Sequence, residues 1–310
     1  MWCNSNEIVL YVILWRNTLK LRCVLPLSFS VFIFFAQASD DLNSFLQQAS
    51  NYIDSDLDKA ELLIEKALEL SPENPQVNFL CGRIMGRQAE DAIFTALSYA
   101  QKSLSCLQKA VELKPREVIF RMGLMKFYIG VPSIAGGDND LALEQIEAIY
   151  LLDPIQGAKA ETTYLRATKQ DDVLKAKLKN WVSQYPEVNE FHFRLGLIYQ
   201  EEQLFSEAFK AFKHGAESKG EQVYHLNSLY QIGRNAVFSH LFIQEGIDSL
   251  FAFIEKSDDN ANIPSKEWAA LRLAQLYSLL KNTEKVSEYK ELASKSSDRS
   301  LHKALRRIQK

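Results

Sequence analysis

The segment from Asn189 to Gly220 carries Leu195-Gly196-x-x-Tyr199 and, nine residues after the tyrosine, Ala208-x-x-x-Phe212. Large and small residues alternate there at helical spacing, so a bulky side chain on one helix meets a small one on the next and two antiparallel helices interlock. A unit of roughly 34 residues returns along the chain in this register. A helical hairpin of that size cannot bury its apolar face alone, so copies must stack, each touching only its neighbours. The chain is therefore expected to form an elongated all-α array with one face free to bind.

The other copies are phased on the small residue of the first helix, the alanine of the second and a closing proline. Copy one, Asp41 to Asn74, has Phe45, Ala49 and Ile53, then Ala60, Ile64, Ala67 and Pro72. Copy two opens at Pro75 with Gly82 at the crossing and closes with Leu107, Ala110 and Pro115. That closure comes about nine residues later than a plain repeat would place it, the extra length falling between Arg87 and Lys102. Copy three has Gly123, then Ala142, Ile146 and Pro154, and about seven extra residues in its turn, which reads GVPSIAGGD from Gly130 to Asp138. Copy four, Ile155 to Pro186, keeps only the helical period in Ala167, Ala176 and Trp181. Copies six and seven return to register with Tyr230, Gly233, Ala236, Gly246, Leu250 and Phe253, then Trp268, Leu273, Ala274, Tyr277, Val286, Tyr289 and Ala293. Leu301 to Ile308, basic on its outer face, suits a terminal cap.

This is the tetratricopeptide pattern. The predicted fold is an all-α, right-handed TPR-type α-α superhelical solenoid of about seven hairpins, with two lengthened turns inside repeats and a C-terminal capping helix. The chain also resembles exported bacterial tetratricopeptide proteins of unassigned function, on GRIMGRQA (Gly82 to Ala89), FYIGVPSIAGGDNDLA (Phe127 to Ala142) and YQIGRNA (Tyr230 to Ala236). A more distant similarity is to the tetratricopeptide component of tripartite periplasmic transporters and to the regulator of microtubule dynamics family. The resemblance implies a fold and an exported location, and no settled activity.

The N-terminus agrees with export. Arg16, Lys20 and Arg22 precede an apolar run from Val24 to Phe35, and Ala36-Gln37-Ala38 supplies the small residues of a signal-peptidase site. Residues 1–38 are thus expected to be a signal peptide and residues 39–310 the mature solenoid, beginning at Ser39. The run is too short to span a bilayer, which takes roughly 17–25 apolar residues, so no stable membrane anchor is expected. The separate apolar stretch Ile8 to Trp15 is superfluous for a signal and suggests a translation start nearer Leu19. Cys23, after Lys20-Leu21-Arg22, lacks a lipid-attachment context.

Removing residues 1–38 takes three of 36 basic and one of 39 acidic residues, leaving a charge of about −5. Nucleic acid is a poor partner for such a surface, because binding to phosphate is driven by clustered Lys and Arg. Two cysteines survive processing, Cys81 and Cys106, on apolar helix faces; buried free thiols are the simpler reading, and an oxidising compartment leaves a disulfide open.

Catalytic signatures are missing, and neither enzyme activity nor a cofactor or metal is expected. The histidines, 192, 214, 225, 240 and 302, fall one to a helix without the paired spacing of zinc peptidases, and no phosphate loop or nucleophile elbow is present. In the GVPSIAGGD turn, Pro132 is expected to stop the first helix, Gly136 and Gly137 to adopt positive φ, and Asp138 to cap the next helix. A calcium role for Asp138-Asn139-Asp140 is disfavoured by the lack of spaced ligands around a central glycine.

The candidate binding residues are the Gly-Arg arginines. Arg83 and Arg234 directly follow the crossing glycine, where a side chain points to the concave groove, and Arg87 lies one turn beyond Arg83. Guanidinium groups there can hold a peptide carboxylate, with Phe79, Phe120, Phe193 and Tyr230 offering apolar contact. The alternative is that these arginines only tie neighbouring helices together. Three functions follow: an envelope scaffold that binds a protein or peptide in its groove, a carrier closing around a small apolar or acidic ligand, and a cytoplasmic scaffold. The first two differ in whether the groove is open or enclosed.

Overall fold

A computed structural model describes residues 41–258 and 262–308, within which every regular element is helical. The expected signal peptide, its cleavage point and the proposed internal start lie outside the described residues. The first helix, α1, is described over 41–52 and pairs with α2 (Leu57–Leu70). Six further pairs follow: α3 (Pro75–Asp91) with α4 (Ala96–Leu113), α5 (Val118–Gly130) with α6 (Asn139–Leu152), α7 (Pro154–Ala167) with α8 (Asp171–Gln184), α9 (Asn189–Glu201) with α10 (Phe205–Glu217), α11 (Gln222–Ser239) with α12 (Ile243–Lys256), and α13 (Lys266–Leu279) with α14 (Thr283–Ala293). A short helix, α15 (Arg299–Leu305), closes the array by burying Leu301 and Leu305 against the last pair.

The elements start where short polar side chains satisfy free amides. Asp56, Asn74, Asp138, Asp153, Asn282 and Asp298 each accept from backbone N–H groups of the first turn. Pro75 and Pro154 occupy first helical positions, where the missing N–H costs nothing.

The expected crossings are present. A Cβ on Gly196 would lie 2.6 Å from the Phe212 ring, and one on Gly82 2.5 Å from Leu107 Cγ, so each glycine admits a large residue of the paired helix. Gly233 admits Leu250 in the same way. Replacing Gly196 by leucine is expected to cost about 1–3 kcal/mol through overpacking, read as a drop in denaturation midpoint; an unchanged midpoint would refute the register of this hairpin.

First helices of successive hairpins pack on one another, α3 on α5, α5 on α7, α9 on α11 and α11 on α13, which gathers them on one side of the solenoid. Between hairpins four and five the junction is α8 on α9, and Lys159 of α7 reaches Glu190 of α9 as an ion pair at 3.3 Å.

Four expectations need correction. The extra residues of copy two do not lengthen its turn, which is only residues 92–95; they extend α3 and α4 to 17 and 18 residues. Gly137 does not need positive φ, which is confined to Gly136 at 98° in this turn; Gly137 is required because a Cβ there would strike the Val131 carbonyl. In copy four only Trp181 of the three phased residues is buried; Ala167 and Ala176 are exposed, and Leu165, Leu174 and Leu178 join Trp181 in the core. Cys81 and Cys106 are not free thiols: they form a disulfide joining α3 to α4, with 5.9 Å between the Cα atoms.

Candidate functional site

The two irregular hairpins, two and three, meet at one place. Because α3 and α4 run on beyond the Gly82–Leu107 crossing, their far ends stand side by side without a large residue to fill the gap: Gly86 and Ala89 come from α3, Ala96 and Ala100 from α4. Opposite them the chain leaves α5 at Gly130. Val131, held extended before Pro132, ends the helix, and Ser133–Ala135 forms a single 3₁₀ turn. The turn folds back through hydrogen bonds from Gly137 N–H to the Pro132 carbonyl (3.1 Å) and from Asp138 N–H to the Tyr128 carbonyl (3.0 Å). Left-handed Gly136 lies against Leu104 of α4, which seats the turn on hairpin two.

Between these walls lies a cavity of about 700 Å³, partly open to solvent. Its lining is mostly apolar, and its charged groups are Arg83, Arg87, Lys126, Asp54 and Glu90. Arg87 pairs with Glu90 at 2.9 Å, while Arg83 and Lys126 are exposed and have no hydrogen bond or ion pair among the described residues. Between the lining residues Glu90 and Ala96, the turn of hairpin two displays Ile93 and Phe94, 86% and 96% exposed, and the lining residue Ile134 of hairpin three is exposed as well.

The seven residues singled out from sequence fall into separate groups. Arg83 and Arg87 line the cavity. Phe79 and Phe120 pack ring against ring at 4.9 Å, tilted by 34°, outside its lining, and Phe79 covers Gly123, joining α3 to α5. Phe120 is 3% exposed and Tyr230 is 5% exposed, so both belong to the core and neither presents a surface to a partner. The reason is that each sits at a position where successive first helices touch, and a large ring there fills the junction. Tyr230 packs against Phe253 and accepts a hydrogen bond from Arg272. Phe193 is half-buried between Phe212 and Tyr224.

Arg234 has a different environment from Arg83. It donates to Gln200 of α9 at 2.7 Å, and Gln200 in turn donates to Asn235, whose amide reaches the Phe205 carbonyl. Its guanidinium also lies over the Phe238 ring, as does that of Arg272. Burial, then the nearby Arg272 charge, lower the Arg234 pKa from the ordinary arginine value. This arginine ties hairpin five to hairpin six.

A second polar cluster has no motif that marks it in the sequence. Glu190, buried on α9, binds Lys159 of α7 and Arg194 of its own helix, and Arg194 donates to the Tyr224 hydroxyl on α11. Burial, with the Glu190 charge behind it, pushes the Tyr224 hydroxyl up to about 12. Gly86 and Lys126, which also line the cavity, lie outside the residues singled out from sequence. A signal existed for Gly86, one helical turn beyond Gly82 in the run Gly82 to Ala89.

The comparisons agree with the geometry on fold alone. No protein-family model matches the sequence, and no curated protein matches it. Among solved structures, the Cut9–Hcn1 hetero-tetramer of the APC/C is similar with a TM-score of 0.52 and 12% identity over 86% of this chain, which spans 49% of that one. The chain has the tetratricopeptide-repeat fold. A tetratricopeptide repeat protein from Parabacteroides merdae overlaps 86% of this chain and 98% of its own at 11% identity and a TM-score of 0.46. PilF of Pseudomonas aeruginosa overlaps 73% and 96% at 10% identity and a TM-score of 0.44. Among the described residues, no helix is long and apolar enough to cross a membrane.

Proposed function

We propose that this solenoid is a non-catalytic binding scaffold of the cell envelope, periplasmic or secreted, which engages a protein or peptide at the edge where hairpins two and three meet. The observation that carries the reading is the display of Ile93 and Phe94, adjacent on a hairpin turn and almost wholly exposed, just before the start of α4 at the cavity-lining Ala96. Contiguous apolar side chains held out in water mark contact surfaces. Arg83 and Arg87 give this edge a preference for a partner segment that carries acidic groups among apolar ones. The resemblance to exported bacterial proteins and the signal-like N-terminus supply the location.

The test is photo-crosslinking in cells from a reactive residue at position 94, with position 69 on α2 as the control. One protein species joined from 94, absent from 69 and lost in an Arg83→Glu, Arg87→Glu variant is the expected result. Both arginines are exposed, so that variant should change stability by about 0.5 kcal/mol or less. Arg234→Glu should instead lower the melting temperature, since it breaks the bond to Gln200 and costs about 1–3 kcal/mol. Equal crosslinking from 94 and 69, or capture unaffected by the reversals, refutes the contact surface. The cavity favours a second reading alongside the first, in which the solenoid holds a small ligand, since its volume falls within the range of ligand pockets.

A further inference from the structure

The interior and the rim of the cavity differ in chemistry. Leu107, Phe127 and Val131 contribute apolar wall, with Leu97 and the exposed Ile134 at its mouth, and the hydroxyl of Ser103, the uncharged polar side chain within it, already donates to the Gly82 carbonyl at 2.7 Å. A peptide laid in this space would bury amide groups with nothing to bond to, whereas an alkyl chain has none to satisfy. At the rim stand two cations from adjacent first helices, Arg83 of α3 and Lys126 of α5, neither engaged by a described residue, with Asp54 and the Arg87–Glu90 pair nearby.

Both walls are departures from the plain repeat. The extension of α3 and α4 makes one, and the lengthened turn of hairpin three, seated on Leu104, makes the other. A regular hairpin would supply neither. Resting on the ligand-binding reading above, we propose that the cavity binds a single-chain amphiphile with an anionic head group, its alkyl chain inside and its carboxylate or phosphate between Arg83 and Lys126.

Two glycines in the lining allow the cavity to be filled without disturbing its frame. A Cβ on Gly86 meets Ser103 Oγ at 3.4 Å, an ordinary contact, and one on Gly130 meets nothing within 4 Å. Gly82 and Gly123 lack that freedom, since a Cβ on either would press on Leu107 or Phe79.

The experiment is calorimetric titration of the purified protein with octanoate, decanoate and dodecanoate below their micellar concentrations. Decanol, decylammonium and a decanoyl lysophosphatidate serve as comparisons. Affinity should rise about fourfold for each added methylene until the space is full. Decanol should bind about tenfold more weakly than decanoate, having lost the charge-assisted contact, and decylammonium more weakly still. Whichever of decanoate and the lysophosphatidate binds more tightly separates a free acid from a membrane lipid as the source.

Gly86→Leu should abolish binding at an unchanged melting temperature, Gly86→Ala should retain it, and Gly130→Phe provides a second filling variant should leucine disturb α3. Arg83→Glu with Lys126→Glu should weaken decanoate and leave decanol unaffected. Absence of saturable binding by every anionic chain overturns the proposal, as does equal binding by both filling variants, or decanol matching decanoate. If decanol binds and is lost in Gly86→Leu while the anions do not bind, the ligand cavity stands and the anionic amphiphile falls.

Discussion

Gly137→Ala should destabilise the protein by about 3 kcal/mol, more than Gly136→Ala, even though Gly136 is the residue with left-handed backbone. The methyl group at 137 would land on the Val131 carbonyl, which belongs to the same tight turn and cannot swing aside. The N–H of Gly137 is committed to the Pro132 carbonyl, so the residue cannot rotate out of the clash without opening the turn. At Gly136 the added Cβ meets the end of the Leu104 side chain at 2.7 Å, which can move, and the φ of 98° adds a cost of about 1–3 kcal/mol. Denaturant titration of the two variants gives the comparison directly. A smaller loss for Gly137→Ala than for Gly136→Ala would mean that the turn takes another path.

Removing the Cys81–Cys106 bond is the second large effect. With a separation of 25 residues, chain-entropy reasoning predicts a loss of about 3–4 kcal/mol on reduction or in a Cys81→Ala, Cys106→Ala variant. The two helices it joins are also the cavity-bearing pair, and both sulfurs lie in the apolar cluster of the first two hairpins. The measurement is thermal unfolding with and without reductant. An unchanged midpoint would indicate that the rest of the hairpin, not the cross-link, holds α3 against α4.

The architecture was legible because its signal is local. Gly196 with Phe212, Gly82 with Leu107 and Gly233 with Leu250 each reveal a crossing through residue size alone. The seven hairpins and the final cap follow from counting such pairs. The site was less legible because its walls depend on how an insertion is absorbed. Nine surplus residues in copy two read equally well as a long turn or as longer helices, and only the second choice leaves Gly86, Ala96 and Ala100 facing a gap. Phe120 and Tyr230 read as groove anchors because aromatic rings at first-helix positions look alike in sequence; their burial depends on the next hairpin, which no single repeat encodes. Arg83 and Arg234 likewise share a Gly-Arg motif, and what separates them is Gln200, a residue 34 positions from Arg234.

The apolar interior is divided into clusters, the later of which are linked only through the partly buried Tyr199 and Ala216. One cluster spans the first two hairpins, another runs from α4 to α9, and a third joins α11 to α15, with a small group around Phe212 between them. Arrays built this way melt by neighbouring units and not as one block. A lesion in the last hairpins should therefore lower the early part of a calorimetric trace while leaving the cavity-bearing end folded, so that a chain can lose one extremity and still keep its grip at the other.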